Sequence, residues 1–253
     1  MTGSYPDLAG RVAVVTGGSR GIGAAIGGAL AAQGARVIVT GRDHAALDAA
    51  TAQIRELGGH AHPVVAELTD PDQVEQLRTE TEQIYGRAEL LAVVAGGSGT
   101  PAPITELSLD DWHHTIDANL TTAFLTLRAF LPAMIERRQG SVVTMSSTAG
   151  RLPSPASPAY GAANAGLQML TRQAALQVAP HHVRVNTIAP GAVLTDRLTQ
   201  MPAHVRDSVA AQHPLGRLGD PADIAAAALF LLSDASSWIT AATLDISGGR
   251  VAL

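Results

Sequence analysis

The sequence predicts an α/β protein: a single domain over residues 1–253, built on a doubly wound parallel sheet of about seven strands flanked by helices. Three observations carry this expectation. Short β-branched runs alternate with longer alanine-rich stretches, the rhythm of repeated right-handed βαβ units. The strand candidates are apolar on both faces, as strands buried between two helical layers are. No Pro/Ser-rich linker or run of charge divides the chain.

The elements follow in order. Val12–Thr16 is a first strand, and a glycine-rich turn leads from it into an alanine-rich helix near 21–33. Arg36–Thr40 is the second strand. Asp43 is placed to cap the helix after it, 43–58. Strand Ala61–Ala66 precedes a helix at 71–85, and strand Leu90–Ala95 precedes a long helix at 108–137. Gly140–Ser146, a helix at 158–179 and Val183–Ala189 continue the alternation. Pro190 to about Asp220 shows no clear strand or helix, and residues of roughly 192–218 are expected to form a substrate lid, since long ordered insertions often do. Leu194, Leu198, Met201, Val205 and Val209 would give it an apolar wall. Pro221 suits the first turn of a helix at 221–233, and Thr243–Ile246 is the last strand.

Composition narrows the function. Hydrophobic residues are 46% of the chain and aromatics 3%, so alanine, valine and leucine must fill the core. Zero cysteines exclude disulfides, thiolate metal ligands and a cysteine nucleophile. A net charge of −5 with no basic stripe argues against a nucleic-acid partner. Met1 to Gly10 has no apolar core, and no unbroken apolar run reaches the length of a membrane span. A cytoplasmic protein with no membrane partner is therefore expected. His113 and His114, like His181 and His182, are adjacent and do not share a helix face, so no joint metal site is expected. Lysine is absent: all 17 residues counted as Lys+Arg are arginines.

The turn Thr16-Gly17-Gly18-Ser19-Arg20-Gly21-Ile22-Gly23 lies between a strand and a helix. Glycines there let backbone approach a phosphate, and the helix start offers N–H groups and the positive end of its dipole. A tight turn with no ligand is the plain alternative. The second strand ends in Gly41-Arg42, with no carboxylate to repel a 2′-phosphate, and a guanidinium can clasp one in bidentate fashion. Arg20 could add a second cation. NADP(H) is therefore preferred over NAD(H), unless both arginines are only solvated surface charges.

This turn, with Ser147, Tyr160 and the segment Tyr160-Gly161-Ala162-Ala163-Asn164, resembles the short-chain dehydrogenase/reductase family. The resemblance runs from Leu8 to Gly249 and implies a Rossmann-type fold, a small-molecule carbonyl or alcohol substrate, and a tetramer or dimer. It implies that Gly17, Ser19, Arg20, Gly21, Ile22 and Gly23 hold the cofactor phosphates. Glu67 stands where the family has an aspartate near the adenine. Ala95 and Gly96 would pass beside the nucleotide, although valines Val93 and Val94 replace the family's asparagines. Pro190, Gly191, Val193 and Thr195 match the segment that holds the nicotinamide carboxamide.

By the same resemblance Ser147 would steady the substrate oxygen and Tyr160 would exchange the proton. Asn119 would anchor the proton-relay water, and Ser146 would be structural. The family's lysine, four residues after the tyrosine, is Asn164 here. Asn164 can bind a nicotinamide ribose hydroxyl but cannot supply the charge that favours tyrosinate. Arg151 is either a substitute cation or a surface residue. The expected activity is an NADP(H)-dependent ketoreductase, slowed or altered by this change. The alternative is a non-redox protein of the same fold, either a nucleotide- or metabolite-binding regulator or a lyase, isomerase or cyclase using Tyr160. For assembly, the small residues Gly161 to Gly166 and the side chains Phe124, Leu125, Leu127 and Phe130 suggest close helix pairing between subunits.

Overall fold

A computed structural model describes residues 3–252. Seven parallel strands form one sheet in the order β3-β2-β1-β4-β5-β6-β7. They are β1 Val12–Thr16, β2 Arg36–Gly41, β3 His60–Val65, β4 Leu90–Val93, β5 Gly140–Met145, β6 Val183–Pro190 and β7 Thr243–Ile246. The helices are α1 Gly21–Ala32, α2 His44–Glu56, α3 Pro71–Ile84, α4 Leu109–Ile116, α5 Thr122–Arg137, α6 Pro158–Val178, α7 Asp196–Thr199, α8 Ala203–Ala210 and α9 Pro221–Leu232.

Side chains alternate across the sheet, and both faces are dry. Ala13 and Val15 of β1 pack with Val37, Val39, Ile26 and Leu30 on the face covered by α1, α2 and α9. Val12 and Val14 pack with Ile38, Leu77, Phe130 and Leu167 on the face covered by α3, α5 and α6. Asp220 and Asp223 form a capping box around Pro221 at the start of α9. Asp43 accepts a hydrogen bond from the Ala46 N–H and so caps α2, as its sequence position suggests.

Two expectations need correction, and a third gains detail. The helical run expected over 108–137 is continuous from Leu109 to Arg137, with a π turn at Asp117–Thr121 between α4 and α5. The fourth strand stops at Val93, because the Val94 and Ala95 N–H groups donate to the Thr16 hydroxyl (2.9 and 3.1 Å) rather than to a neighbouring strand. Leu125, Leu127 and Phe130, expected at a subunit interface, lie in the core, and of that group only Phe124 is exposed. The small residues of α6 also serve the fold. A Cβ on Gly161 would lie 3.2 Å from the Ala149 carbonyl oxygen, and one on Gly166 would lie 3.1 Å from Leu120.

Among the described residues one helical run, 109–137, has the length and mean hydropathy (1.3) of a membrane span. Its buried side chains and its charges at Asp117, Arg128 and Glu136 fit a helix packed on a sheet. The stretch 190–220 is not structureless, since it contains α7 and α8. No side chain of α8 is buried.

Candidate active site

Strand order reverses between β1 and β4, and the crevice beyond their carboxyl ends is where open α/β sheets place ligands. The glycine turn occupies it. Gly17 has φ +63° and Gly21 φ +55°, the left-handed region in which glycine carries no Cβ penalty. A Cβ on Gly17 would stand 2.9 Å from the Ala95 Cα, and one on Gly23 would run into the Gly17 carbonyl oxygen. Gly17 and Gly23 therefore have no room for a side chain. Arg20, extended at the N-cap of α1, gives that helix no side-chain cap. A Cβ on Gly21 would lie 3.3 Å from Thr195 Cγ2, so the turn and the segment after β6 face each other.

The two arginines expected to be open for a phosphate both hold carboxylates. Arg20 pairs with Asp43 at 2.8 Å, and Arg42 pairs with Glu67 at 3.5 Å. All four side chains are substantially exposed. Burial alone would raise the Glu67 carboxyl. Hydrogen bonds from the Thr69 N–H and hydroxyl, with the Arg42 charge, outweigh that and hold it below the ordinary 4.5. Glu67 is thus part of a local network at the mouth of the crevice.

Asn119 sits in the π turn and is buried. Its amide donates to the carbonyls of Gly97 and Thr115 (both 2.8 Å) and accepts from the Gly97 N–H at 3.1 Å. A Cβ on Gly96 would lie 2.5 Å from Asn119 Oδ1. The side chain therefore pins the loop after β4 to the π turn.

Ser147 ends the loop after β5 and caps a 3₁₀ turn, Thr148–Gly150. Its Oγ accepts from the Ala149 N–H at 3.1 Å, which leaves the hydroxyl proton available to another acceptor. This turn lies on the first two turns of α6: a Cβ on Gly150 would be 2.9 Å from the Asn164 carbonyl carbon. Tyr160 is half-buried on α6, and no described residue hydrogen-bonds its hydroxyl. Asn164, 2% exposed, lies one turn further on. Its Nδ2 donates to the Tyr160 carbonyl at 2.9 Å.

Ser146 Oγ donates to the Asn164 carbonyl (3.1 Å) and accepts from Gln168 Nε2 (3.0 Å), a structural role as expected. Gln168 also reaches the Ser147 carbonyl at 3.3 Å. Arg151 is a surface residue, as one of the two readings had it, but its charge is engaged. It pairs with Asp245 at 2.6 Å and donates to Gln168 Oε1 at 3.1 Å.

After β6, the Gly191 N–H donates to the Ile246 carbonyl and the Leu194 N–H to the Gly219 carbonyl. Val193 is buried beside Gly219. The Ala192 N–H donates to His213 Nε2 at 3.2 Å. Gln168, Asp245 and His213 are parts of the site's frame that the sequence reading missed. Their partners are distant in sequence, and no motif marks them.

Comparison with known proteins gives the chain's relatives. The family profile described as enoyl-(acyl carrier protein) reductase matches residues 17–250. An uncharacterized oxidoreductase of Mycobacterium tuberculosis is 42% identical over 94% of this chain and 91% of its own. The cis-4-hydroxycyclohexanecarboxylate dehydrogenase of Sinomonas cyclohexanicum is 38% identical over 96% of this chain and 97% of its own. Among solved structures, that of levodione reductase aligns with a TM-score of 0.93 at 31% identity, covering 96% of this chain and 98% of the other.

Proposed function

The chain belongs to the short-chain dehydrogenase/reductase family and is an oxidoreductase of that type, and from that premise we propose that it is an NADP(H)-dependent enzyme interconverting a carbonyl and an alcohol. The observation that carries the reading is the convergence of three segments at the carboxyl ends of the strands. These are the glycine turn, the Ser147 turn laid on α6 beside Tyr160, and Thr195 facing Gly21. The turn of Gly17 to Gly23 fits a pyrophosphate because its glycines leave backbone open to close approach and the start of α1 has no side-chain cap. When bound, the nicotinamide supplies or takes the hydride.

The chain's own residues do the rest. Ser147 donates its hydroxyl proton toward the substrate oxygen and steadies its negative charge. Tyr160 gives that oxygen a proton in reduction and removes one in oxidation. Asn164 stands where the family has lysine. Its amide is neutral, and one of the two Nδ2 hydrogens goes to the Tyr160 carbonyl. Without a cation there to favour tyrosinate, oxidation, in which Tyr160 must accept a proton, is hampered more than reduction. Residues 192–218, which contain α7 and an α8 with no buried side chain, form the substrate lid of a single domain. A dimer or tetramer is the working assembly. Its contacts would use Phe124 and the α6 side chains Met169 and Leu176, which are exposed and, on α6, two turns apart on one face.

NADPH consumption across a panel of cyclic and linear ketones tests the proposal. Saturable, ketone-dependent consumption is expected. No consumption with any ketone, alongside intact NADPH binding, would favour the non-redox alternative.

A further inference from the structure

The segment Gly191 to Thr195 is held almost wholly by backbone hydrogen bonds, to Ile246 and Gly219. One side chain completes the set. His213 follows α8 and is 3% exposed. Its Nε2 lies 3.2 Å from the Ala192 nitrogen, and its Nδ1 lies 2.9 Å from the Val209 carbonyl oxygen. An N–H can only donate and a carbonyl oxygen can only accept. The ring must therefore carry its proton on Nδ1 and offer its lone pair at Nε2, a neutral imidazole in one tautomer.

The ring is also wedged. A Cβ on Gly191 would lie 2.9 Å from Nε2 and 3.1 Å from the Ser247 Cα, and one on Gly248 would lie 3.5 Å from the His213 Cβ. Ala192, His213, Leu215 and Ser247 also border a cavity of about 260 Å³. Val209 belongs to α8. One imidazole thus ties α8 to the segment that begins at Gly191, within the proposed lid.

We propose that His213 is a positioning residue for cofactor binding: through Ala192 it sets where the Val193 backbone and Thr195 stand, and through Val209 it couples them to α8. This rests on the dinucleotide reading of the site. It adds a residue that touches neither substrate nor cofactor.

Three variants separate this role from simple packing. His213→Gln can place a carbonyl oxygen where Nε2 stands and keep the Ala192 bond. His213→Asn reaches only as far as Nδ1, and His213→Phe keeps the ring volume with no acceptor. Two readouts are compared: amide exchange of the peptide spanning residues 190–196 in the ligand-free protein, and the NADPH dissociation constant.

Faster exchange and NADPH binding weakened by up to ~10-fold are expected for the Asn and Phe variants, with the Gln variant within about twofold of wild type. Wild-type exchange and affinity in a folded Phe variant would overturn the proposal. If the Phe variant does not fold, equal behaviour of the Gln and Asn variants would overturn it. A wild type that shows the expected exchange pattern but binds neither NADPH nor NADH would sustain the anchoring and refute the dinucleotide reading.

Discussion

Cofactor choice turns on a competition that the structure makes measurable. Arg42 already holds Glu67 at 3.5 Å, and Arg20 holds Asp43 at 2.8 Å. A 2′-phosphate must share these guanidiniums or displace the carboxylates. Both pairs are exposed, and such pairs contribute about 0.2–1 kcal/mol. A guanidinium–phosphate hydrogen bond is worth about 1.5–3 kcal/mol. The difference, about 1–2 kcal/mol for Arg42, predicts NADPH binding ~5–30-fold tighter than NADH.

Glu67→Gln removes the competing charge while its Oε1 can still accept from Thr69. It should tighten NADPH binding by up to ~5-fold and leave NADH nearly unchanged. Arg42→Asp should reverse the preference. The pH sets the window. Because the Glu67 carboxyl is held below 4.5, the pair is intact at pH above that ordinary value and is lost as the pH falls through the lower folded-state value. Titrations at neutral pH therefore meet the full competitor. Equal wild-type affinity for both cofactors, or NADPH binding weakened by Glu67→Gln, would refute the reasoning.

Restoring a cation beside the tyrosine is the second perturbation. Asn164→Lys should move the alkaline rise of alcohol oxidation to lower pH and raise the neutral rate by as much as ~10²-fold, whereas an unchanged pH profile would remove Tyr160 from the proton-transfer role. Assembly is tested by light scattering. Leu176→Glu, on the exposed face of α6, should convert oligomer to monomer, and a wild-type monomer of 26.0 kDa at micromolar concentration would refute the oligomer.

What could be read from the sequence was what neighbouring residues decide. The valine runs of β1 and β2, the glycine turn and the Asp43 and Pro221 helix starts are local patterns, and each stands where the pattern put it. What escaped depends on distant partners. Arg20 meets Asp43 across 23 residues, Arg42 meets Glu67 across 25, and Arg151 meets Asp245 across 94. The last contact turns a candidate cation away from Tyr160. The π turn at Asp117–Thr121 has no breaker residue to announce it, and Asn119 holds it through contacts with Gly97. Leu125, Leu127 and Phe130 looked available for a partner because apolar residues alone do not tell which helix face the sheet will cover.

The most direct test of the account is Tyr160→Phe, measured for NADPH binding and for reduction of the best ketone found in the panel. The phenol hydroxyl makes no protein hydrogen bond among the described residues, so its loss should leave the fold and the cofactor affinity unchanged within about twofold. Reduction should fall by ~10²–10⁴-fold, the usual cost of losing a positioned acid. Wild-type turnover in a variant that still binds NADPH would contradict the account.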